Sequence, residues 1–426
     1  MPDTHSLVIK GGRVVDATGE RAADVVVADG RIAAIGADLS ADRTLDATGC
    51  LVGPGLVDLH SHLREPGKEE AETVETGARG AALGGFTAVV AMPNTTPAID
   101  SAAVVRQVLE LGRTASCEVL ASGAITVDRA GEQLAPMAEM AALGVRLFTD
   151  DGAGVQDNLL MRRAMEYASG LGVTLAQHCE DDALCGGGHM HEGAWSARLG
   201  IAGQPAEAEE LMVMRDIALA RLTGCRIHFQ HLSTAGSVAM VRAAVASGLP
   251  VTAEATPHHV TLTHAACQGY DPVFKVNPPL RTDDDVAAVR AGLVDGTIAA
   301  IATDHAPHAP ETKELPFDQA PPGMLGLETA LALALTELAL PPARVFEVLS
   351  TNPAAIAGVA DRHGTLAEGR PANVCVVDPE VTWTVDGAAM ASRSANTPFQ
   401  GRELRGRVRH TVLHGEAVVV AGEAQR

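Results

Sequence analysis

The sequence lacks several features that would place it in other classes of protein. No apolar run reaches the ~18–20 residues of a membrane-spanning helix. The first ten residues lack a basic segment followed by an apolar one, so we expect no signal peptide. The formal net charge of −21 argues against nucleic acid and anionic membranes as partners. It leaves a small anionic substrate open, because the charge within a site decides that.

The sequence also lacks closely spaced cysteine pairs and has few lysines. The seven cysteines are scattered and form no CxxC pair, which is typical of a reduced, cytoplasmic protein rather than a disulfide scaffold. The four lysines are Lys10, Lys68, Lys275 and Lys313. Any chemistry that needs a lysine between Lys68 and Lys275 is therefore excluded.

The middle of the chain alternates between strand-like and helix-like segments. Helix-like stretches such as Glu69–Leu83 and Glu207–Thr223 separate eight apolar runs. The eight runs are Val57–His62, Phe86–Pro93, Cys117–Thr126, Val145–Asp151, Thr174–Glu180, Arg226–Ser233, Val251–His258 and Ile298–His305. Eight β/α repeats predict an α/β fold with a (β/α)8 TIM barrel. The alternative, a doubly wound open sheet, lacks a glycine-rich phosphate motif here and would not bring the ends of its first and last strands together.

Both ends of the chain have a different pattern, with short strands separated by turns. Runs such as Leu7–Lys10 and Asn373–Asp378 fit short strands that end at turns. Neither end alone could bury a sheet face, so we expect the two ends to form one small β-sandwich. The predicted segments are 1–54 and 361–426 for the sandwich and 55–360 for the barrel.

His60-Ser61-His62 closes the first of the eight runs. Residues i and i+2 of a strand point to the same face, about 7 Å apart at ~3.3 Å per residue. Two imidazoles placed in this way can hold one metal ion, although an isolated pair could equally be two polar residues at a strand exit. Imidazole and carboxylate ligands together suit zinc or a similar divalent ion.

Ligand-type side chains recur at the ends of the other runs. Taken singly, His178 could be a hydrogen-bonded core histidine and Asp304 a cap for the segment that follows. The full set is His60, His62, Asp151, His178, His231 and Asp304. In a barrel all strand ends of one kind meet at one face, so this set exceeds the needs of one tetrahedral zinc and suits two ions with a bridging group.

Several motifs resemble the dihydroorotase family of the amidohydrolase superfamily, and the resemblance runs essentially from end to end. HxH together with TDHAPH is typical of the superfamily, whereas HLREPG, MPNT and TDDG point to the dihydroorotase form. The matching segments are Val57–Gly67, Met92–Thr95, Phe148–Gly152, Gln177–Glu180, Asn277–Arg281 and Thr303–His308.

The missing lysines narrow this resemblance. Many superfamily members bridge their two metals with a carboxylated lysine on the fourth strand, and this chain has none there. Asp151 stands at the matching strand end, which resembles a bacterial subgroup that uses aspartate. The pattern argues against hydantoinases and allantoinases, which usually carry the lysine.

The resemblance implies a role for each site residue. His60, His62 and Asp304 would bind the more buried of two Zn²⁺ ions, His178 and His231 would bind the second, and Asp151 would bridge them. Arg64 and Asn94 would bind the substrate carboxylate, for which a guanidinium is well shaped. The remaining substrate contacts would come from His62, Asn277, His308 and the backbone of Pro322 and Gly323. A phenylalanine-like residue is common where Pro322 stands, and Arg64 has an alternative as a surface ion pair with Glu65 or Glu69.

The implied reaction is the reversible cyclisation of N-carbamoyl-L-aspartate to (S)-dihydroorotate and water in pyrimidine (UMP) synthesis. Asp304 would be the general acid and base, and the segment 308–323 would be a lid. We also expect a homodimer, with a possible complex with aspartate carbamoyltransferase. The alternatives are another cyclic amidohydrolase, such as an allantoinase or hydantoinase, or a non-catalytic dihydroorotase-like scaffold for aspartate carbamoyltransferase, which would have lost metal ligands.

Two further histidine pairs are expected to lie outside the ligand set. His189 and His191 follow three glycines, which predicts an exposed loop. His258 and His259 are consecutive and face opposite ways on a strand, so both cannot bind one ion.

Overall fold

Short strands make up the first part of the chain. The computed structural model describes residues 6–338 and 340–426, so residues 1–5 of the first predicted segment lie outside the described residues. The strands before the central region are β1 (Leu7–Lys10), β2 (Arg13–Asp16), β3 (Gly19–Ala22), β4 (Asp24–Ala28), β5 (Arg31–Gly36), β6 (Arg43–Asp46) and β7 (Leu51–Pro54).

Parallel strands follow in the central region, where each predicted run contains one. They are β8 (Leu56–Ser61), β9 (Phe86–Ala91), β10 (Glu118–Ala121), β11 (Leu147–Phe148), β12 (Thr174–Gln177), β15 (Arg226–Phe229), β16 (Val251–Ala255) and β17 (Ala300–Ile301), with the short pair β13 (Met190–His191) and β14 (Gly203–Gln204) inserted. They pair in the orders β10-β9-β8 and β11-β12-β15-β16-β17. Parallel bridges Gly123–Phe148 and Ser61–His305 connect the two groups at both edges. The carboxyl ends of these strands therefore share one edge.

Helices connect the parallel strands. The α-helices are α1 (Val74–Leu83), α2 (Ala102–Leu111), α3 (Met137–Ala142), α4 (Asn158–Leu171), α5 (Asp182–Cys185), α6 (Ala194–Leu199), α7 (Glu207–Thr223), α8 (Ala235–Ala246), α9 (Asp283–Asp295), α10 (Pro310–Lys313), α11 (Ala330–Thr336), α12 (Pro342–Phe346) and α13 (Asn352–Ile356). A π-helical turn (Glu347–Thr351) joins the last two, and 3-10 turns lie at Gly112–Thr114, Val127–Arg129, His264–Gly269, Pro272–Phe274 and Gly387–Ala389.

The first predicted helix begins later than expected. We predicted Glu69–Leu83, but the helix begins at Val74 because Thr73 and Thr76 form a capping box. The Thr73 side chain accepts a hydrogen bond from the Thr76 backbone, and the Thr76 hydroxyl accepts one from the Thr73 backbone N–H. Two otherwise unpaired backbone donors are satisfied in this way, which fixes the start of the helix.

Strands from the end of the chain join those from its beginning. They are β18 (Val374–Thr384), β19 (Glu403–Leu413), β20 (Glu416–Val420) and β21 (Glu423–Ala424). One sheet has the order β21-β20-β19-β18-β7-β2-β3, in which β18 pairs antiparallel with β7, and a second has the order β5-β4-β1-β6. Apolar side chains from both sheets share one core, including Ile9, Val25, Val52 and Val374.

The predicted α/β class is confirmed. All six residues of β8 and of β9 are buried, which explains why these strands are continuous apolar runs without alternation. Some strands are shorter than their predicted runs, since the last residues of each run bend away as the loops that carry polar side chains. Within the described part of the chain, no helix combines the length and the apolar character needed to cross a membrane.

Candidate metal centre and substrate cavity

The predicted metal ligands lie together at the carboxyl ends of five parallel strands. His60 is within β8, and the others follow β8, β11, β12, β15 and β17 by one to three residues. The ligand atoms form two groups, and within each group all atoms lie within 4.8 Å of one another. One group comes from His60, His62 and Asp151, and the other from Asp151, His178 and His231. Asp151 belongs to both groups, so it occupies the position of a bridge.

Asp151 lies between the imidazoles. Its Oδ1 atom is 3.2 Å from His60 Nε2, 3.5 Å from His178 Nδ1 and 3.8 Å from His231 Nε2. Its Oδ2 atom is 3.5 Å from His62 Nε2. One carboxylate therefore faces four ring nitrogens, with one oxygen shared among three of them.

Asp304 lies beside the first group. Its Oδ1 atom lies 3.1 Å from His62 Nε2 and 3.5 Å from His60 Nε2. In the second group, His178 Nδ1 lies 2.8 Å from His231 Nε2, and His178 Nε2 donates to Glu180 at 2.9 Å. Since the Nε2 atom of His178 is occupied by Glu180, its Nδ1 atom is the one available to a ligand.

The donor atoms at this centre fit a divalent cation. His60 Nε2 and Asp151 Oδ1 are buried and have no hydrogen-bond partner in the described part of the protein. A buried polar atom without a partner is rare because it loses its interaction with water. Imidazole nitrogens and carboxylate oxygens at this spacing are the ligands that zinc and similar ions take.

The buried charges shift one another's pKa values. Burial alone would raise the pKa of Asp151, but His60, His178 and His231 outweigh it and hold that pKa well below its ordinary value. Burial alone would lower the pKa of His178, but the nearby carboxylates of Asp151 and Glu180 outweigh it and raise that pKa to about 10. The site therefore favours positive charge around a shared anion.

The backbone is strained where three site residues leave their strands. Arg64, His231 and Asp304 have φ values of 61°, 33° and 45°. A side chain in the left-handed region costs roughly 1 kcal/mol relative to ordinary backbone, and such strain clusters at functional sites. At these three positions the strained backbone accompanies side chains that face the site.

Asp150, the neighbour of Asp151, forms hydrogen bonds within the protein and does not face the metal ligands. Its Oδ1 atom accepts hydrogen bonds from the backbone N–H groups of Ile125 (2.8 Å) and Thr126 (3.0 Å), and Oδ2 accepts one from the Thr126 hydroxyl. Asp150 thus connects the loop after β10 to the loop after β11, and the two aspartates face opposite ways.

Sequence reasoning missed a buried carboxylate behind His60. Glu254, on β16, lies 2.9 Å from His60 Nδ1 and 2.9 Å from His228 Nε2. Burial would raise the pKa of Glu254, but the hydrogen bonds from His228 and His60 outweigh it and lower that pKa to about 2. The signal in the sequence was a glutamate inside an apolar strand, which needs a partner when it is buried.

A cavity of about 220 Å³ opens onto the metal ligands. It contains every substrate-binding residue that the sequence predicted. The lining residues are His62, Arg64, Asn94, Asp151, Gly152, His178, His231, Val276, Asn277, Asp304, Ala306, His308, Pro322 and Gly323.

Arg64 is buried and turned toward this cavity. Its Nε atom donates to the Pro307 carbonyl oxygen at 3.1 Å, which leaves the two terminal nitrogens available to a ligand. Burial lowers the pKa of Arg64 to about 10, so the guanidinium stays charged at neutral pH. The ion-pair alternative is not what the structure has, since Glu65 and Glu69 accept from the backbone N–H groups of Val74 and Gly67.

Asn94 and His308 present polar atoms beside Arg64. Asn94 Oδ1 accepts a hydrogen bond from His62 Nδ1 at 2.9 Å, so the Asn94 amide N–H group is available to a ligand. His308 Nε2 donates to the Pro322 carbonyl oxygen at 2.8 Å and lies 3.4 Å from Arg64 Nη2. Together with Arg64 these groups give one side of the cavity a cationic and polar lining.

Gly323 allows the segment 308–323 to lie close to the cavity. Its φ is +143°, and a Cβ atom there would lie 2.7 Å from His308 Nε2 and 2.8 Å from Ala306 Cβ. Two lysines connect this segment to the 3-10 turn at Pro272–Phe274 and the residue after it. Lys313 Nζ donates to the carbonyl oxygens of Pro272 (3.0 Å) and Pro321 (2.8 Å), and Gly323 N–H donates to Lys275 O at 2.9 Å.

Both remaining histidine pairs differ from their predictions. We expected His189 and His191 in an exposed loop, and for His191 this is wrong, because it lies in β13, is buried and lies 3.1 Å from Arg281 Nη1. β16 ends at Ala255, so His258 and His259 lie in a turn after the strand and not on it as predicted. Both are buried, and His259 Nε2 donates to the Pro278 carbonyl oxygen at 2.9 Å.

Comparisons with known proteins agree on one family. The model of the family described as Dihydro-orotase-like matches residues 49–237. A dihydroorotase of Pelotomaculum thermopropionicum is 50% identical over 97% of this chain and 98% of its own length. A dihydroorotase of Mycobacterium tuberculosis is 49% identical over 98% of this chain and 99% of its own length.

Solved structures with the same fold include cyclic-amide hydrolases. The L-hydantoinase (dihydropyrimidinase) from Arthrobacter aurescens superposes with a TM-score of 0.90 at 26% identity, covering 99% of this chain and 97% of that one. The dihydropyrimidinase from Brevibacillus agri has a TM-score of 0.86 at 24% identity, covering 99% and 96%, and shows likeness of fold alone.

Proposed function

The chain belongs to the dihydroorotase family, and from this membership we propose how its side chains carry out the reaction. It is a cyclic-amide hydrolase of pyrimidine biosynthesis. The reaction interconverts (S)-dihydroorotate plus water with N-carbamoyl-L-aspartate. The observation that carries our proposal is the position of Asp151, whose carboxylate faces four imidazoles at the floor of a cavity with a buried arginine.

The architecture that supports this site is a closed (β/α)8 barrel, in our proposal, with a β-sandwich from both chain ends. The two parallel bridges at the edges of the strand groups support closure. The antiparallel pairing of β7 with β18 supports the sandwich. The proposed segments remain 55–360 for the barrel and 1–54 with 361–426 for the sandwich.

The cofactor in this proposal is Zn²⁺, with two ions per chain. His60, His62 and Asp304 would hold one ion, His178 and His231 the other, and Asp151 both. Such ions lower the pKa of water toward ~7 and polarise a carbonyl group, which an unactivated ring amide requires. The buried, unpartnered atoms His60 Nε2 and Asp151 Oδ1 support this assignment.

The substrate carboxylate would bind opposite the metal ligands. Arg64 has its terminal nitrogens available, and a guanidinium matches a carboxylate with two parallel hydrogen bonds. The Asn94 amide N–H group would add a further hydrogen bond. Asn277 and His308, with the backbone of Pro322 and Gly323, would contact the ring.

Asp304 would move the proton. In hydrolysis it would accept a proton from the attacking water and deliver it to the ring nitrogen that leaves. In cyclisation it would take that proton from the ureido nitrogen and return it to the departing oxygen. His60 and His62 outweigh burial and hold the pKa of Asp304 below its ordinary value, so the carboxylate is ionised at neutral pH.

The segment 308–323 would act as a lid that keeps bulk water from the site. Its hydrogen bonds to the 3-10 turn at Pro272–Phe274 support a closed position in this structure. Exclusion of water strengthens the electrostatic contacts inside a site.

The rival functions have less support. A non-catalytic scaffold would have lost ligands, whereas this chain retains all six. A hydantoinase-like activity has the fold in common, but the identity to those structures is about half of the identity to dihydroorotases. A homodimer, a complex with aspartate carbamoyltransferase and a cytoplasmic location remain predictions.

A substrate panel tests the proposal. Purified protein should hydrolyse dihydroorotate and cyclise N-carbamoyl-L-aspartate, with little action on hydantoin or allantoin, which lack the carboxylate that Arg64 would bind. Equal rates on hydantoin and dihydroorotate would contradict the proposed binding of the substrate carboxylate by Arg64.

A further inference from the structure

A buried chain of hydrogen bonds extends away from the metal centre on the side opposite the cavity. It runs from His60 through Glu254 and His228 to the hydroxyl group of Thr252. His60, His228 and Glu254 have no solvent exposure, and Thr252 at the end of the chain is half-buried. The three buried groups must therefore satisfy one another's hydrogen bonds.

The protons in this chain can be assigned from its chemistry. The Glu254 carboxylate can only accept, so it receives the His60 Nδ1 proton at 2.9 Å and the His228 Nε2 proton at 2.9 Å. His228 Nδ1 is then bare and accepts from the Thr252 hydroxyl at 2.8 Å. Gln230 Nε2 also lies 3.2 Å from His60 Nδ1, but a carboxylate at the shorter distance decides the position of the proton.

This proton arrangement fixes what His60 offers to the metal centre. With its single proton on Nδ1, the neutral imidazole has its lone pair on Nε2, the atom that is buried without a partner and lies 3.2 Å from Asp151 Oδ1. The other tautomer would direct an N–H group toward the cation. Partners behind a metal-binding histidine orient the ring and select its tautomer, and their loss typically weakens metal affinity 10–100-fold.

We propose that Glu254 is a positioning residue that sets the His60 tautomer for metal binding. His228 and Thr252 help to keep His60 in that tautomer when the hydrogen bonding of residue 254 changes. The inference rests on the proposed metal centre. It adds three residues, on β15 and β16, that do not touch the cavity but control one of the two ions.

The role of Thr252 becomes visible when Glu254 is replaced by its amide. A glutamine has one acceptor and one donor, so the two histidines can no longer both donate to it. If the amide oxygen faces His60, the His60 tautomer is kept, and His228 must move its proton to Nδ1 and donate to Thr252. The His231 backbone N–H, 3.4 Å from Glu254 Oε1, favours this orientation because it also needs an acceptor.

Removing the Thr252 hydroxyl closes this route. His228 could then place a proton on Nδ1 only by burying it without an acceptor. The amide would instead rotate and direct its N–H group toward His60 Nδ1, which forces the His60 proton onto Nε2. The same Thr252→Val change with Glu254 in place should matter little, because His228 Nδ1 then loses only a donor.

A double-mutant cycle measures this coupling. The variants are Glu254→Gln, Thr252→Val and the two together, and the readout is the zinc dissociation constant from competition with a chromophoric chelator. We expect about 5-fold weaker binding of one zinc ion for Glu254→Gln, about 2-fold for Thr252→Val and about 100-fold for the pair, beyond what independent effects would give.

Thr87→Val is the matched control. Thr87 is likewise a strand threonine, fully buried where Thr252 is half-buried, and its hydroxyl lies 3.2 Å from a histidine, His363 Nδ1, that is not a predicted ligand. Combined with Glu254→Gln it should show no coupling. Circular dichroism and thermal unfolding of each metal-free variant separate loss of the fold from loss of the metal.

Nitrogen NMR of the imidazoles gives a second readout that does not depend on the double variant. In zinc-loaded protein, His228 should carry its proton on Nε2, and in Glu254→Gln it should carry it on Nδ1. An unchanged His228 tautomer, or independent effects in the cycle, would overturn the inference while leaving the function in place. Wild-type protein that binds no zinc would instead overturn the proposed metal centre.

Discussion

Separate replacement of the adjacent residues Asp150 and Asp151 distinguishes the proposed metal-bridging carboxylate from the carboxylate that stabilises the fold. We expect Asp151→Ala to lose metal and Asp150→Ala to lose stability. Asp151 faces both groups of ligands, so its removal takes one ligand from each ion. Loss of a mere hydrogen-bond partner of a ligand weakens metal binding about 10–100-fold, so loss of the shared ligand should exceed about 100-fold, or more than about 2.7 kcal/mol.

For Asp150 we expect a different outcome, because its carboxylate accepts hydrogen bonds from protein groups and does not face the metal ligands. Its replacement leaves the buried N–H groups of Ile125 and Thr126 without their acceptor. Each such group costs about 1–3 kcal/mol, so for the two groups we expect a loss of roughly 2–6 kcal/mol in the free energy of unfolding. The metal stoichiometry should stay near that of the wild type.

Elemental analysis after dialysis, together with urea unfolding of the metal-free variants, measures both quantities. Zinc reconstitution of wild-type apoprotein should proceed equally well in buffer stripped of carbon dioxide, because no lysine is available between Lys68 and Lys275 to be carboxylated. Recovery that requires bicarbonate, or loss of metal in Asp150→Ala but not in Asp151→Ala, would refute the reasoning.

Three further changes test other parts of the account. Asp304→Asn should lower kcat by ~10²–10⁴-fold, since general acid–base catalysis is worth that much, while the fold survives by circular dichroism; near wild-type turnover would remove Asp304 from proton transfer. Arg64→Lys should raise KM for dihydroorotate, because a point charge cannot replace two parallel hydrogen bonds, and a substrate without a carboxylate should be unaffected; an equal loss on both would assign Arg64 to the fold. Glu118→Gln should cost about 1–3 kcal/mol at pH 7 in urea unfolding, because burial raises the pKa of Glu118 but hydrogen bonds from His363 and His414 outweigh it and lower that pKa. A lowered folded-state pKa gives stability that is present above the ordinary carboxyl pKa and is lost as the pH falls toward the folded one, so the difference between variant and wild type should shrink in acid, and a constant difference would contradict this.

Much of the site could be predicted because its chemistry repeats at one kind of position. Strand ends of parallel strands meet, so polar residues after apolar runs, such as His178 and Asp304, indicated a shared centre before any distance was known. Consecutive residues of an extended chain face opposite ways, which distinguishes Asp151 from Asp150, and the structure places the two side chains on opposite sides. The family resemblance supplied the individual roles, which spacing alone does not give.

What could not be predicted depends on contacts between distant segments. Glu254 lies 194 positions after His60, and only the closeness of β8 and β16 brings the two side chains together. The burial of His191 depends likewise on Arg281, which comes from a different loop. Helix starts such as Val74 depend on which nearby threonine forms the cap, and several polar residues before it could have done so.

The most direct test of the account is the dihydroorotase activity of the purified protein before chelation, after chelation and after addition of zinc. The account predicts that chelation abolishes both directions of the reaction, that about two zinc ions per chain restore it, and that Asp151→Ala cannot be restored in the same way. Full activity in protein shown by elemental analysis to be free of metal would contradict it.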